Sequence, residues 1–270
     1  MNLSNIYLTF SLLTEVVMTK KHISAIFFGC LLFFMGVFAG PVQAKTLTVA
    51  VDTAFVPFEF RDPDTGKYIG FDIDLWDAIA KKIGVEYKLQ PMDFSGIVPA
   101  LQTGSVDAAL AGITITAERE KVVDFSHPYY DSGLNIMVMA DNDEIKGPED
   151  IEGKRIAVRT GTTSANYAPS LNPSDIVKFP NIESAYMELR AGRVDAAMHD
   201  TPNVLYYITT AGDGQVKSVG PRMQAQSYGI GFPLGSKLRN DVNVAFLQLV
   251  ESGEYAEIYR KWFGQDPSPR

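Results

Sequence analysis

The chain has 270 residues, room for one large domain or two modest ones, and its 46% hydrophobic and 21% charged residues are the composition of a globular protein with a core. The formal net charge of −8 argues against a nucleic-acid partner, which needs a basic face. It does not argue against a small ligand, because a ligand meets its pocket and not the total charge.

The first 44 residues differ from the rest. Met18-Thr-Lys-Lys21 is a short positive segment, Ile23 to Val37 is almost wholly apolar, and Val42-Gln-Ala44 places small residues at the −3 and −1 positions of a cleavage site. This is the pattern of a secretory signal peptide, with cleavage expected after Ala44 and a start at Met18 or Met1. A membrane anchor would need an apolar run of roughly 20 residues. Cys30 follows Phe27-Phe-Gly inside the continuing apolar run, which is not a lipidation site. The mature chain is therefore expected to be periplasmic. Losing Glu15, Lys20 and Lys21 takes its net charge to −9, and losing Cys30 leaves it without cysteine, so its core alone must stabilise it.

From Lys45 onward strands and helices alternate. Lys45–Asp52 reads as a strand leading into the loop Asp52–Phe58. Phe71–Ile83 has helical spacing (Leu75, Trp76, Ile79, Ala80, Ile83) and stops at Gly84. A further helix ends at Gly104, and a strand of small residues follows. The stretch Ala111-Gly-Ile-Thr-Ile-Thr-Ala-Glu-Arg-Glu120 reads as strand and then helix start. Its Ile113 and Ile115 should face the core, Thr114 the ligand, and Thr116 the helix start. Near Ser126–Gly133 the chain should leave a first lobe. Lys154–Thr160 is a second strand-into-loop unit, with loop Gly161–Ser164, and Ile182–Leu189 a second amphipathic helix. Gln226–Gly231 reads as the return strand, and helices Lys237–Gly253 and Glu254–Phe263 complete the first lobe.

An internal repeat organises these elements. Leu101-Gln-Thr-Gly-Ser-Val-Asp-Ala-Ala and Leu189-Arg-Ala-Gly-Arg-Val-Asp-Ala-Ala share the pattern L-x-x-G-x-V-D-A-A at a separation of 88 residues. Lys45–Asp52 and Lys154–Thr160 form a second matching pair. Two α/β lobes follow, each a mostly parallel sheet covered by helices. Ligands of such sheets bind beyond the carboxyl ends of the strands. Four loops should therefore converge: Asp52–Phe58, Ala111–Arg119, Arg159–Ser164 and His199–Asn203.

The polar groups of those loops suit a zwitterion. Arg119 is a planar cation fitted to a carboxylate. Asp52 and Asp200 are anions at strand ends, Thr114 and Thr163 offer hydroxyls and backbone N–H groups, and Phe55 and Phe94 offer apolar walls. Together they match a free α-amino acid with a short side chain. Each residue also has a plainer reading: Arg119 as a surface charge held by Glu118 and Glu120, Asp52 as a turn cap, Phe55 and Phe94 as core, His199 as structural. Asp107 and Asp195, inside the repeats, read as structural. No G-x-S-x-G or P-loop pattern occurs, and the histidines (His22, His127, His199) do not form a zinc cluster. No metal site, cofactor or catalytic residue is expected.

The strings VDTAFVPFEF, PMDFSGIVPALQT, FPNIESAYMEL, HDTPN and YGIGFP, with AGITIT and Arg119, resemble the periplasmic amino-acid-binding proteins of ABC importers (bacterial extracellular solute-binding proteins, family 3) over residues 45–265, and among them the glutamine-binding members. The resemblance implies the two-lobed type II periplasmic binding fold, with a large lobe of residues 45–128 and 229–270 and a small lobe of 134–223. Residues 129–133 and 224–228 would be the hinge strands. It implies L-glutamine as ligand, the importer's membrane permease as partner, and a monomer without enzymatic activity. Arg119 and backbone groups near Thr114 and Thr163 would hold the α-carboxylate. Asp200, Gly112 and Thr114 would hold the α-ammonium. Asp52 and Arg159 would read the carboxamide, Phe55 and Phe94 would sandwich the aliphatic part, and Ala111 and His199 would line the site. Two positions depart from the glutamine-binding pattern, Arg159 in place of lysine and Thr163 in place of glycine. A periplasmic prephenate- or cyclohexadienyl-type dehydratase, or a receptor for another polar amino acid, is the alternative.

Overall fold

The computed structural model describes residues 46–268, so the expected signal peptide lies outside the described residues. Among them no helix is long and apolar enough to cross a membrane. In chain order, strand β1 (Leu47–Asp52) is followed by β2 (Ala54–Phe55), β3 (Glu59–Arg61), β4 (Tyr68–Ile69), helix α1 (Phe71–Ile83), β5 (Tyr87–Met92), α2 (Phe94–Gln102), β6 (Ala108–Leu110) and β7 (Val123–Phe125). Then come β8 (Tyr130–Met139), β9 (Arg155–Arg159), α3 (Thr163–Tyr167), β10 (Asp175–Phe179), α4 (Ile182–Arg190), β11 (Ala196–Asp200), α5 (Thr201–Thr210) and β12 (Val216–Tyr228). β13 (Gly231–Pro233), α6 (Leu238–Ser252) and α7 (Glu254–Phe263) follow.

Two five-stranded sheets result, in the orders β5-β1-β6-β13-β7 and β10-β9-β11-β8-β12. Each begins with three parallel strands and continues with an antiparallel one, β13 in the first and β8 in the second. The fold is α/β and two-lobed, each lobe a mostly parallel sheet with its own helices. Helices bury one stripe: α1 turns Phe71, Leu75, Trp76 and Ile79 inward, carries Asp72 and Asp74 in its first turn and Lys81 and Lys82 in its last, and stops at Gly84 with φ 71°. Phe71, Trp76, Phe232, Phe246 and Tyr255 lie in one core cluster of the first lobe; Ile136, Ile156, Val158 and Met198 lie in one of the second.

The repeated aspartates work as clasps. Asp107 Oδ2 accepts from Thr48 N at 2.8 Å while Asp107 N donates to Thr48 O at 2.8 Å. Asp195 Oδ2 accepts from Arg155 N at 2.8 Å while Asp195 N donates to Arg155 O at 2.9 Å. In each half the clasp pins the first residues of the incoming strand to the neighbouring β1 or β9. Gly104 and Gly192 both adopt left-handed φ, 66° and 69°, as the turn after a helix favours.

Three expectations are corrected. Ala111–Glu120 is neither strand nor helix: it keeps an isolated bridge between Thr114 and Tyr228, and Arg119–Lys121 forms only a short 3-10 turn. Gly112, at φ 51°, breaks the extended run after β6, and Ile115 N then donates to Ser227 O while Gly229 N donates to Ile113 O. Ile113 is fully buried and Ile115 partly so. The return strand is not confined to Gln226–Gly231 but is the end of the long β12, which pairs with β8 from Val216↔Met139 to Tyr228↔Tyr130. The expected loop Asp52–Phe58 contains β2, part of a separate β2-β3-β4 sheet in which Phe55 pairs with Glu59.

Candidate functional site

The carboxyl ends of β1, β6, β9 and β11 come together. Between them lies a narrow cleft, closed down to about 10 Å³ of free space and lined by ten of the residues singled out from the sequence (Phe55, Phe94, Ala111, Gly112, Thr114, Arg119, Arg159, Thr163, His199, Asp200) and by Thr162. Asp52 is not in that lining; it reaches the cleft through Arg159. An open groove of about 610 Å³ shares Phe94, Arg119 and Thr163 with the cleft and forms its mouth.

Arg119 does not turn to its flanking glutamates. Its Nη1 donates to Thr114 O at 2.8 Å and its Nη2 to Gly161 O at 3.1 Å, which spans from the first lobe to the second. Burial lowers its pKa, and Asp200 and Glu118 act against that, but a guanidinium stays charged. Phe94, at the start of α2, has both guanidinium carbons near its face, Arg119 at 5.4 Å and Arg159 at 5.5 Å. Such packing is favourable by about 1 kcal/mol or more when desolvated.

Asp52 and Arg159 are engaged with each other. The Arg159 Nη2 donates to Asp52 Oδ1 at 2.8 Å and its Nη1 donates to Asp52 Oδ2. The pair is bidentate and buried, with side chains 0% and 1% exposed, and Arg159 Nε also donates to Pro180 O at 3.0 Å. It joins the end of β1 to the end of β9, across the lobes. Within the pair the two charges offset each other, while Glu183 and the buried Glu59 also act on Arg159.

Asp200 caps β11 and precedes α5. Its Oδ2 accepts from the Tyr228 hydroxyl, and Tyr228 in turn receives the Ser132 hydroxyl at 3.1 Å. Burial pushes the Asp200 carboxyl up to about 6, with Tyr228 and Arg119 acting against the rise. His199 sits beside it, its Nδ1 at 3.6 Å from Asp200 Oδ1, but burial and Arg159 hold the imidazole down at about 3, so it is neutral at pH 7 and this is not an ion pair. Phe55 meets His199 edge-on at 5.7 Å and stacks on Phe58 at 5.2 Å. Gly112 is required for space: a Cβ there would lie 2.3 Å from Phe55 Cε1. Its N–H donates to Asp72 Oδ2 at 3.3 Å, and Asp72, buried beneath the cleft, also receives the Tyr129 hydroxyl at 2.8 Å.

Three contributors escaped the sequence reading. Thr162 caps α3 by accepting from Ala165 N at 3.2 Å, and donates to Arg159 O at 2.7 Å. Tyr228 and Gln226 reach the site from the return strand. Their i, i+2 spacing, which puts both on one face of a strand, was the available signal.

Comparisons with known proteins fall in one group. Residues 47–265 match the family model described as bacterial extracellular solute-binding proteins, family 3. The chain is 33% identical over 234 residues to the L-arginine-binding protein of Pseudomonas aeruginosa, covering 82% of this chain and 89% of that one. It is 33% identical over 217 residues to the ABC transporter glutamine-binding protein GlnH of Bacillus subtilis, covering 78% of each. Among solved structures, an ancestral arginine-binding protein bound to glutamine is 44% identical, superposes with a TM-score of 0.77, and is matched over 82% of this chain and 98% of its own length. With the family model spanning both lobes and the cleft between them, the chain belongs to the bacterial extracellular solute-binding proteins of family 3.

Proposed function

We propose that this protein is a periplasmic, monomeric, non-catalytic receptor that captures L-glutamine between its lobes and delivers it to the membrane permease of an ABC importer. Residues 129–133 and 224–228 serve as the hinge between the large lobe (45–128 and 229–270) and the small lobe (134–223). Arg119, with backbone N–H groups near Thr114 and Thr163, takes the α-carboxylate. Asp200 takes the α-ammonium with Gly112 and Thr114. The relatives named for amino-acid binding support an amino-acid ligand.

The observation that carries the choice of side chain is the bidentate Arg159–Asp52 pair. A cationic side chain such as that of arginine needs an unpaired acid, and here the acid is already neutralised. An anionic one meets Asp52 beside the arginine. A carboxamide carries no net charge, so its oxygen can accept from Arg159, and through it engage Asp52, without upsetting the charge of the pair. Phe55 and Phe94 flank the remaining methylenes. A ligand in contact with both lobes binds the closed form better than the open one, which is what drives closure.

The names of the relatives favour arginine as a second reading. Calorimetric titration of ligand-stripped protein with glutamine, glutamate, asparagine, arginine and histidine separates the two. Glutamine should bind most tightly; tight binding of arginine or glutamate with weak glutamine overturns the assignment of Asp52 and Arg159. In the same assay Arg119→Ala should weaken binding by more than about a hundredfold, roughly 2.7 kcal/mol. Conversion of prephenate to phenylpyruvate by the protein would overturn the receptor reading in favour of a dehydratase.

A further inference from the structure

The side chain of Gln226 has a position that the amino-acid contacts above do not use. It lies on the return strand β12, at the mouth of the cleft, among the residues of the open groove. Its Oε1 receives two hydroxyls: Thr114 Oγ1 at 3.2 Å from the first lobe and Thr163 Oγ1 at 3.0 Å from the second. The strand is irregular just before it. The β12–β8 register shifts between Met223 and Gln226, and Gln224 takes a left-handed φ of 48°. Two residues on, Tyr228 points the same way and donates to Asp200.

A hydroxyl has one hydrogen and two lone pairs. Once Thr114 and Thr163 have each given their hydrogen to Gln226, what they offer any other neighbour is lone pairs only. A ligand carboxylate, itself an acceptor only, gains nothing from them and is left to Arg119 and backbone N–H groups. A ligand ammonium, a donor only, finds an oriented acceptor in Thr114, while Thr163 meets the carboxylate through its N–H alone. One carbonyl thereby sorts the two ends of a zwitterion.

We propose that Gln226 is a positioning residue of the cleft, which by accepting from the Thr114 and Thr163 hydroxyls turns both into fixed acceptors and so selects ligands bearing an α-ammonium. This rests on the α-amino-acid reading above. It does not depend on which side chain the amino acid carries. Freeing the hydroxyls restores their rotation, and re-ordering them on binding costs a few-fold to about tenfold in affinity.

The test compares affinity for an α-amino acid with that for its α-hydroxy analogue, of the same length and with the same carboxylate, by displacement titration. Glutamine and 2-hydroxyglutaramic acid are the first pair; arginine and its 2-hydroxy analogue are the second. In Gln226→Met the preference for the amino form should fall at least about threefold. In Gln226→Glu, which still accepts from both hydroxyls, the preference should be kept or increased. Loss of packing or of the tie between lobes weakens both ligands equally and leaves the ratio alone, so an unchanged ratio in Gln226→Met overturns the proposal. So does a ratio that falls equally in Gln226→Glu. If the unaltered protein binds neither amino acid, the amino-acid reading itself fails, and the proposal with it.

Discussion

The two copies of the L-x-x-G-x-V-D-A-A repeat build the same scaffold and end in different chemistry. In both, a glycine at left-handed φ ends the helix, a valine is buried, and an aspartate clasps the neighbouring strand through its side chain and its own N–H. Beyond the alanines they part. The first runs into Ala111-Gly112, a bare backbone with space for nothing larger than glycine. The second runs into His199-Asp200, which places a buried acid at the cleft. The matching pair β1 and β9 diverges likewise, one ending in Asp52 and the other in Arg159, and these opposite charges meet. A duplicated frame brings equivalent strand ends face to face, and changes confined to the last one or two residues make the faces complementary.

The largest effect should come from breaking the Asp52–Arg159 meeting point. Arg159→Ala leaves Asp52 buried without its partner and should lower unfolding stability by about 3–5 kcal/mol. The double variant Asp52→Leu, Arg159→Met removes both charges and should recover most of that in denaturant melts while losing ligand selectivity. A double variant as unstable as the single one would show that the charges are not what links the strand ends.

The buried acids beneath the two strand ends differ next. Burial raises both Asp72, under Gly112, and Asp200 to about 6. A carboxyl raised in the folded state contributes stability that is present below its ordinary value and lost as pH rises through about 6. The ligand-free protein should therefore gain stability from both between pH 7 and pH 5. Binding runs the other way, because an ammonium needs the Asp200 anion. Affinity should fall as pH drops below about 6, approaching tenfold per pH unit. In Asp200→Asn that dependence should vanish, and in Asp72→Asn it should persist; the reverse pattern would put the ammonium at the first strand end instead.

The smallest effects concern what the halves share. Asp107→Ala and Asp195→Ala each remove one clasp and should each cost about 1 kcal/mol. Asp195 also pairs with Arg155, at 2.9 Å, but that pair is on the surface and adds little. Urea melts that separate the two variants by more than about 1 kcal/mol would show that the clasps are not equivalent.

Reading the chain recovered the repeat, the helices ending at Gly84 and Gly253, and the four converging loops, because periodicity and glycine stops are local signals. It missed the contribution of β12. Gln226 and Tyr228 stand in a stretch whose local message is an extended backbone with both residues on one face, and their partners Thr114, Thr163 and Asp200 are between 28 and 112 residues away. It also misjudged Ala111–Glu120, where Ile113, Ile115 and the threonines alternate as in a strand. There Gly112 turns the chain away from the first sheet, and Ile115 N and Ile113 O bond to Ser227 and Gly229 at the end of β12.

By itself the sequence determined the alternating α/β frame, its duplication, and the residue types gathered at four strand ends. These depend on spacing, side-chain volume and backbone freedom within a few residues. The tertiary structure alone decided who meets whom. It neutralises Asp52 with Arg159, turns Arg119 to carbonyls of both lobes and away from Glu118 and Glu120, and keeps His199 neutral beside Asp200. Charge and hydrogen bonding act through space between buried side chains on facing strand ends, and the chain order of the groups does not encode that proximity.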